Sequence, residues 1–211
     1  MRTNDLIQLL AADLPTHPGD VETALRRWPL ISAAVVGMGF LAVFGVRADL
    51  TTAGLAPTLV KLAMGALLAV GAAIGAAKLA RPDISAAPFA KWLAGVFFFL
   101  AFLVAMDGAS AGLDGWLNRL SGKSILTCLT VIPALAALPL AASLLALRLG
   151  ATMRPVVSGA LAGLASAGLA ILAFGFYCIE DSPLFVAAWY ALAAAIVALA
   201  GAALGRVMLR W

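Results

Sequence analysis

Between Lys123 and Arg148 the chain reads SILTCLTVIPALAALPLAASLLAL, residues 124–147, with no charged side chain in the run. At about 1.5 Å rise per residue, a helix of that length crosses a hydrocarbon core of about 30 Å. Similar runs recur along the chain, and none carries the polar face that a helix of a soluble core would show. Bounded by charge or turn residues, they give six spans, at 29–46, 62–80, 89–106, 124–147, 156–177 and 184–205. Lys61, Lys78 and Lys91 flank the second and third spans and are expected to snorkel to the interface. The 211 residues are 64% hydrophobic and 11% charged, which is too apolar for a soluble domain. The expected fold is all-α, a polytopic bundle of six transmembrane helices over 29–211, preceded by an arm, residues 1–28.

Orientation follows from Lys and Arg. Arg47, Lys61, Arg119 and Lys123 fall on one side, while the other ten of the 14 lie in the arm, the 2–3 and 4–5 loops and the C-terminus. The positive-inside rule makes the richer side cytoplasmic, so both termini are expected there. The first 28 residues are polar, carry four acids and lack a short apolar core with a cleavage site, so no secretory signal is expected. Basic residues at helix ends are topology signals first, and the net charge of +4 requires no direct contact with nucleic acid.

Within the arm, Thr3 is a suitable N-cap, Asp5 sits in the first turn, and Pro15 and Pro18 bring the helical pattern to an end. Leu6, Leu9, Leu10 and Leu14, with Ile7 at the border, fall on one side at helical spacing, while Asn4, Asp5, Gln8 and Asp13 lie outside most of that stripe. Such a short amphipathic helix is marginal alone and becomes ordered by docking. Acids where a lipid-seeking helix carries Lys or Arg favour a protein groove over the membrane surface. Residues 20–28 resume helical character and lead towards the first span at Trp28.

The spans hold small-residue pairs four apart at Gly71/Gly75, Gly159/Gly163 and Gly201/Gly205, which suit close helix packing inside the bundle. Pro133 and Pro139 interrupt the fourth span and are expected to bend it. Every Asp, Glu, Lys and Arg falls outside these spans or at their ends, which argues against coupled transport, where intramembrane charge is needed. There is no H-E-x-x-H pattern and no glycine-rich phosphate loop between strand and helix. His17 stands alone beside Pro18, so neither an embedded hydrolase nor a metalloenzyme is expected.

What remains chemically reactive is Cys128 and Cys178. Cys128 lies just past Lys123 at the start of the fourth span, and Cys178 lies two residues before Glu180 at the end of the fifth. If these spans form a hairpin turning near residue 151, the two cysteines share the noncytoplasmic edge. They stand 23 and 27 positions from that turn, a mismatch of roughly 6 Å along straight helices. A disulfide needs Cα atoms within about 7 Å, so a bond is possible but not automatic, and is easier if the fifth helix unwinds near Cys178, ahead of Pro183, or if Pro133 tilts the fourth. Three readings stand: a structural disulfide, a redox or thiol-capture sensor, and a metal site in which Glu180 and Asp181 add carboxylates to the two thiolates. The spacing typical of structural zinc is absent, and so is a C-x-x-C pair of the disulfide-exchange kind.

The segment Cys178-Ile179-Glu180-Asp181-Ser182-Pro183, followed by Phe185 and Trp189-Tyr190, resembles the NrsF family of six-span bacterial anti-sigma factors. So do the opening Thr3, Leu6, Ile7, Leu10, Ala11 and Asp13, the Arg154-Pro155 pair with the small-residue run 158–163, and the terminal Leu209-Arg210-Trp211. The resemblance implies an inner-membrane regulator that holds an extracytoplasmic-function sigma factor at its cytoplasmic face. Its partners would be that sigma factor and membrane lipid, with no cofactor and no catalysis. It further implies that Cys128 and Cys178 match family cysteines associated with release by heavy metals or oxidants. Tyr177 departs from the His expected before the second cysteine, which favours oxidation or direct thiol capture over a His-assisted metal site. On this reading Leu6, Ile7, Leu10, Asp13 and Leu14 engage the sigma factor by helix-in-groove recognition. Two other classes stay open: a transporter of an apolar solute, for which a charge-free interior would suit, and a membrane thiol oxidoreductase.

Overall fold

The structure is a computed structural model and describes residues 18–52, 55–80, 87–111, 115, 119–122 and 124–209. The arm residues Leu6, Ile7, Leu10, Asp13 and Leu14 lie outside the described residues. Where only hydrocarbon surrounds the chain, every backbone N–H and C=O must be satisfied within the segment, and helices are the result. Six follow in order: α1 (Pro18–Phe44), α2 (Leu55–Leu79), α3 (Ala87–Ala111), α4 (Ile125–Leu147), α5 (Pro155–Gly175) and α6 (Pro183–Met208), the last with a π-helical stretch over Val186–Tyr190. All six are long and apolar enough to cross a membrane, the architecture of a multi-pass membrane protein, and no strand occurs among the described residues.

Helix ends differ from the expected spans most at the starts of α1 and α2. α1 starts at Pro18, and residues 20–28, expected to be helical, run unbroken through Arg26 and Arg27 into the first span. α2 starts at Leu55, so Lys61 is not a flank but lies two turns inside. Local chemistry accounts for the ends that shape the site. Gly45, at φ +78°, takes the left-handed backbone that only glycine adopts freely and donates its N–H to the Leu41 carbonyl at 2.9 Å, closing α1. Pro155 and Pro183 occupy the first turns of α5 and α6, where a missing N–H costs nothing. Pro133 and Pro139 lie inside α4 without ending it, and Ser143 Oγ donates to the Pro139 carbonyl at 2.8 Å.

α5 is the central post, packed by α2, α4 and α6 and, more lightly, by α1, while α3 lies at the periphery. Glycine spacing explains these close approaches. A Cβ on Gly159 or Gly163 would run into the α6 backbone at Gly201 or Val197, and one on Gly168 would strike Ala69 and Gly65 of α2. Gly71 instead receives the Trp92 indole of α3. The small-residue pairs therefore serve packing within the bundle.

Candidate thiol site

At one end of the bundle, the turn after α5 brings the two cysteines together. α5 stops at Gly175, and the N–H groups of Tyr177 and Cys178 both bond back to the Phe174 carbonyl at 3.0 Å. Cys178 thus stands on an irregular segment ahead of Pro183, which removes the offset that two straight helices would impose. Cys128 occupies the first turn of α4, its N–H donating to the Ser124 carbonyl at 2.9 Å. Both are free thiols, 0% and 2% exposed, and their side chains are mutual neighbours.

Two cations hold this segment, and neither behaves as an interfacial anchor. Lys61 is fully buried; its Nζ donates to the Cys178 carbonyl at 2.8 Å and to Asp181 Oδ1 at 3.1 Å. The snorkelling expected of Lys61 is therefore incorrect: α2 begins two turns earlier, and the side chain finds an acceptor and a counter-charge inside the bundle. Arg47, just past Gly45, donates to both oxygens of Asp49 at 2.7 and 2.8 Å and both of Asp181 at 2.6 and 2.9 Å. Its Nη1 also reaches the Cys178 carbonyl at 3.4 Å, and its backbone N–H donates to the Phe176 carbonyl at 3.0 Å. Arginine's planar fork suits such a double carboxylate clamp.

The electrostatics follow from these contacts. Asp49 first, then Asp181, hold the Arg47 guanidinium protonated more firmly than usual. Burial pushes the Asp181 carboxyl up, but the bonds from Arg47 and Lys61 outweigh it and hold it below the usual carboxylate range. The hydrogen bond from the Cys128 thiol is the first reason that Cys178 is pulled down to about 6; burial opposes this, and Tyr190, the Glu180 N–H and the Lys61 charge assist. A thiolate at neutral pH beside a second thiol is a pair able to lose two electrons and its one remaining thiol proton to an oxidant, or to capture a thiophilic reagent.

An open cleft of about 230 Å³, lined by Arg47, Ser124, Thr127, Tyr177 and Ile179 among others, reaches Cys178. Tyr177, where histidine was expected, stacks edge-on with Phe40 and Phe44 at centroid distances of 5.4 and 6.0 Å. Its place is in an aromatic layer rather than a ligand set. Glu180 packs over Gly122, where a Cβ would meet its carboxyl carbon at 2.7 Å. With Asp181 engaged by two cations, the carboxylates do not join the thiols: among the described residues no group of three or more His, Cys, Asp or Glu is placed to hold a metal ion. The buried hydroxyls of Thr58 and Ser182 have no hydrogen-bond partner among the described residues, and that of Tyr190 meets no oxygen or nitrogen but stands beside the Cys178 sulfur.

Of the residues singled out from sequence, Cys128, Cys178, Glu180 and Asp181 gather at this end of the bundle. Lys61 and Arg47 were missed as site residues. Their signal was present: both fall on the side poor in basic residues, the edge that also bears Asp181.

A family model described as NrsF, negative regulator of sigma F, matches residues 10–211. Over 222 aligned residues covering 100% of both chains, the sequence is 32% identical to a protein of Azospira oryzae named "Probable anti-sigma-F factor NrsF". No solved structure matches the chain.

Proposed function

The chain belongs to the NrsF family of negative regulators of sigma F, and from that premise we propose that it is an inner-membrane anti-sigma factor whose cysteine pair governs release. An extracytoplasmic-function sigma factor is held at the cytoplasmic face by the arm, with Leu6, Ile7, Leu10 and Leu14 in an apolar groove and Asp13 meeting basic residues of the partner. Reaction at Cys128 and Cys178, on the opposite face, ends that hold. An oxidant takes two electrons from the pair as the S–S bond forms and the one remaining thiol proton leaves; a soft metal ion displaces that proton and binds both thiolates.

The observation that carries this reading is the buried pair of free thiols with Cys178 lowered to about 6, since a thiolate is the form that oxidants and soft metals attack. Reversing a tenfold preference for the sigma-bound state takes about 2.8 kcal/mol. A disulfide commonly contributes about 2–4 kcal/mol, enough for that reversal.

The test is purification of the intact protein from its native membrane, followed by identification of co-purifying proteins before and after diamide or cadmium treatment. A sigma factor should co-purify with the resting protein and leave on treatment, while the Cys128→Ser, Cys178→Ser double variant should retain it throughout. Absence of any sigma factor would remove the anti-sigma reading; release from the double variant would remove the cysteines from the switch.

A further inference from the structure

We propose that Arg47 is the positioning residue that couples the cysteine segment to the far end of α1, so that a rearrangement of residues 176–182 is carried along that helix to where the arm begins. The inference rests on the proposed anti-sigma function for what alters the thiols and what the arm holds, and adds the route between them.

Arg47 is tied to the cysteine segment twice, by backbone and by side chain. Its N–H bonds to the Phe176 carbonyl, and its guanidinium, 1% exposed, grips both Asp181 oxygens and reaches the Cys178 carbonyl. Only Gly45 and Val46 separate it from the last residue of α1, and Gly45 is locked to Leu41. The last turns of α1 add a second grip, with Phe40 and Phe44 packed on the Tyr177 ring next to Cys178. Displacing the Cys178 backbone therefore pulls on the end of α1 through an arginine that stays charged at any physiological pH.

α1 is suited to carry the pull. It is one helix of 27 residues, about 40 Å long. One face of its midsection, with Ile31, Val35 and Met38 all more than half exposed, points away from the bundle, while the other packs on α4 and α5 and buries Ala24 and Leu25 near the start and Phe40 near the end. There Val21 faces Gly150 in the 4–5 turn. Lys61 grips the same carbonyl and the same carboxylate from α2, but α2 is fixed against α5 by the Gly65–Gly168 approach, where no Cβ fits. Of the two helices that share these acceptors, α1 is the one that packs on its neighbours through side chains, without a glycine-to-backbone interlock.

The experiment is amide hydrogen exchange on the full chain in lipid nanodiscs, with and without diamide. The N=N bond of diamide takes two electrons from Cys128 and Cys178, one proton from the remaining thiol and one from water, yielding the disulfide and a hydrazine. In the parent protein, disulfide formation should speed exchange of amides 18–30, of which Pro18 and Pro29 carry none, on the order of tenfold. In Arg47→Met the disulfide should still form, but these amides should exchange at the fast rate both before and after diamide. Asp181→Asn, nearly isosteric, makes the same test if Arg47→Met is not recovered from the membrane. Slow exchange that speeds on oxidation in either variant, as in the parent, would overturn the proposal, as would a fully oxidised parent whose amides 18–30 do not respond. The two readings fail separately: a parent that transmits the change but binds no sigma factor keeps the coupling, and one that releases sigma while amides 18–30 stay silent loses it.

Discussion

Lys61 Nζ donates to the backbone carbonyl of Cys178 at 2.8 Å, so a fully buried ammonium on α2 fixes the position of a thiol on the segment after α5. A charge is stable there because Asp181 and the carbonyl replace the water it has lost.

Lys61→Met keeps the apolar stem and removes two charge-assisted hydrogen bonds, while Asp181 remains paired with Arg47. The expected cost is about 1–3 kcal/mol, read as a lower thermal unfolding midpoint in detergent. The Lys61 charge also favours the Cys178 thiolate, so the variant's alkylation at pH 7 should slow. A variant as stable and as reactive as the parent would show that the buried ammonium supports neither the segment nor the thiol.

Because the Cys128 hydrogen bond holds Cys178 at about 6, alkylation of Cys178 by iodoacetamide should rise through pH 6 rather than near the ordinary value of about 8.5. Cys128→Ala removes the first cause and should move the midpoint upward. The stability linkage has a definite sign: an acid whose folded value is depressed stabilises fully above its unfolded value, and that contribution disappears as pH falls through the folded value. Unfolding midpoints should therefore decline between pH 9 and pH 6. A rate that rises only above pH 8 would contradict the thiolate assignment.

The six spans were legible because hydrocarbon length and apolar composition are one-dimensional quantities. The site was legible only in part. Straight-helix arithmetic set Cys128 and Cys178 about 6 Å out of register, and the structure removes that offset by ending α5 at Gly175, three residues before the thiol. Lys61 was misread for a related reason. A lysine seven residues into a helix can reach outward to the interface or inward to a partner, and hydropathy cannot distinguish these directions. Only the fold reveals that Asp181 and the Cys178 carbonyl await it.

The glycine interlock between α5 and α6 predicts a contrast. Gly163→Ala would place a Cβ 2.5 Å from the Val197 carbonyl, and Gly201→Ala would press on the Gly159 carbonyl. Neither backbone can yield cheaply, so each should cost about 1–3 kcal/mol and lower the thermal midpoint. Gly39→Ala and Gly95→Ala meet nothing within 4 Å and should leave the midpoint unchanged or slightly raised. Equal effects at all four positions would mean that helix propensity, not interhelical contact, governs these glycines.

The arm makes the last distinction, because it separates retention from sensing. If residues 1–15 form the main sigma contact, deleting them should free the sigma factor while leaving the six helices inserted and the dithiol intact. The truncated protein should then show the same thermal midpoint and the same low alkylation midpoint at Cys178 as the parent. Leu6→Asp with Leu10→Asp places charge on the apolar stripe and should reproduce the loss of retention without shortening the chain. Each buried aliphatic anchor contributes about 1.5–3 kcal/mol, so losing two should weaken binding by a factor on the order of a hundred or more. A sigma factor that still co-purifies with both variants would move the contact to the short cytoplasmic loops of the bundle.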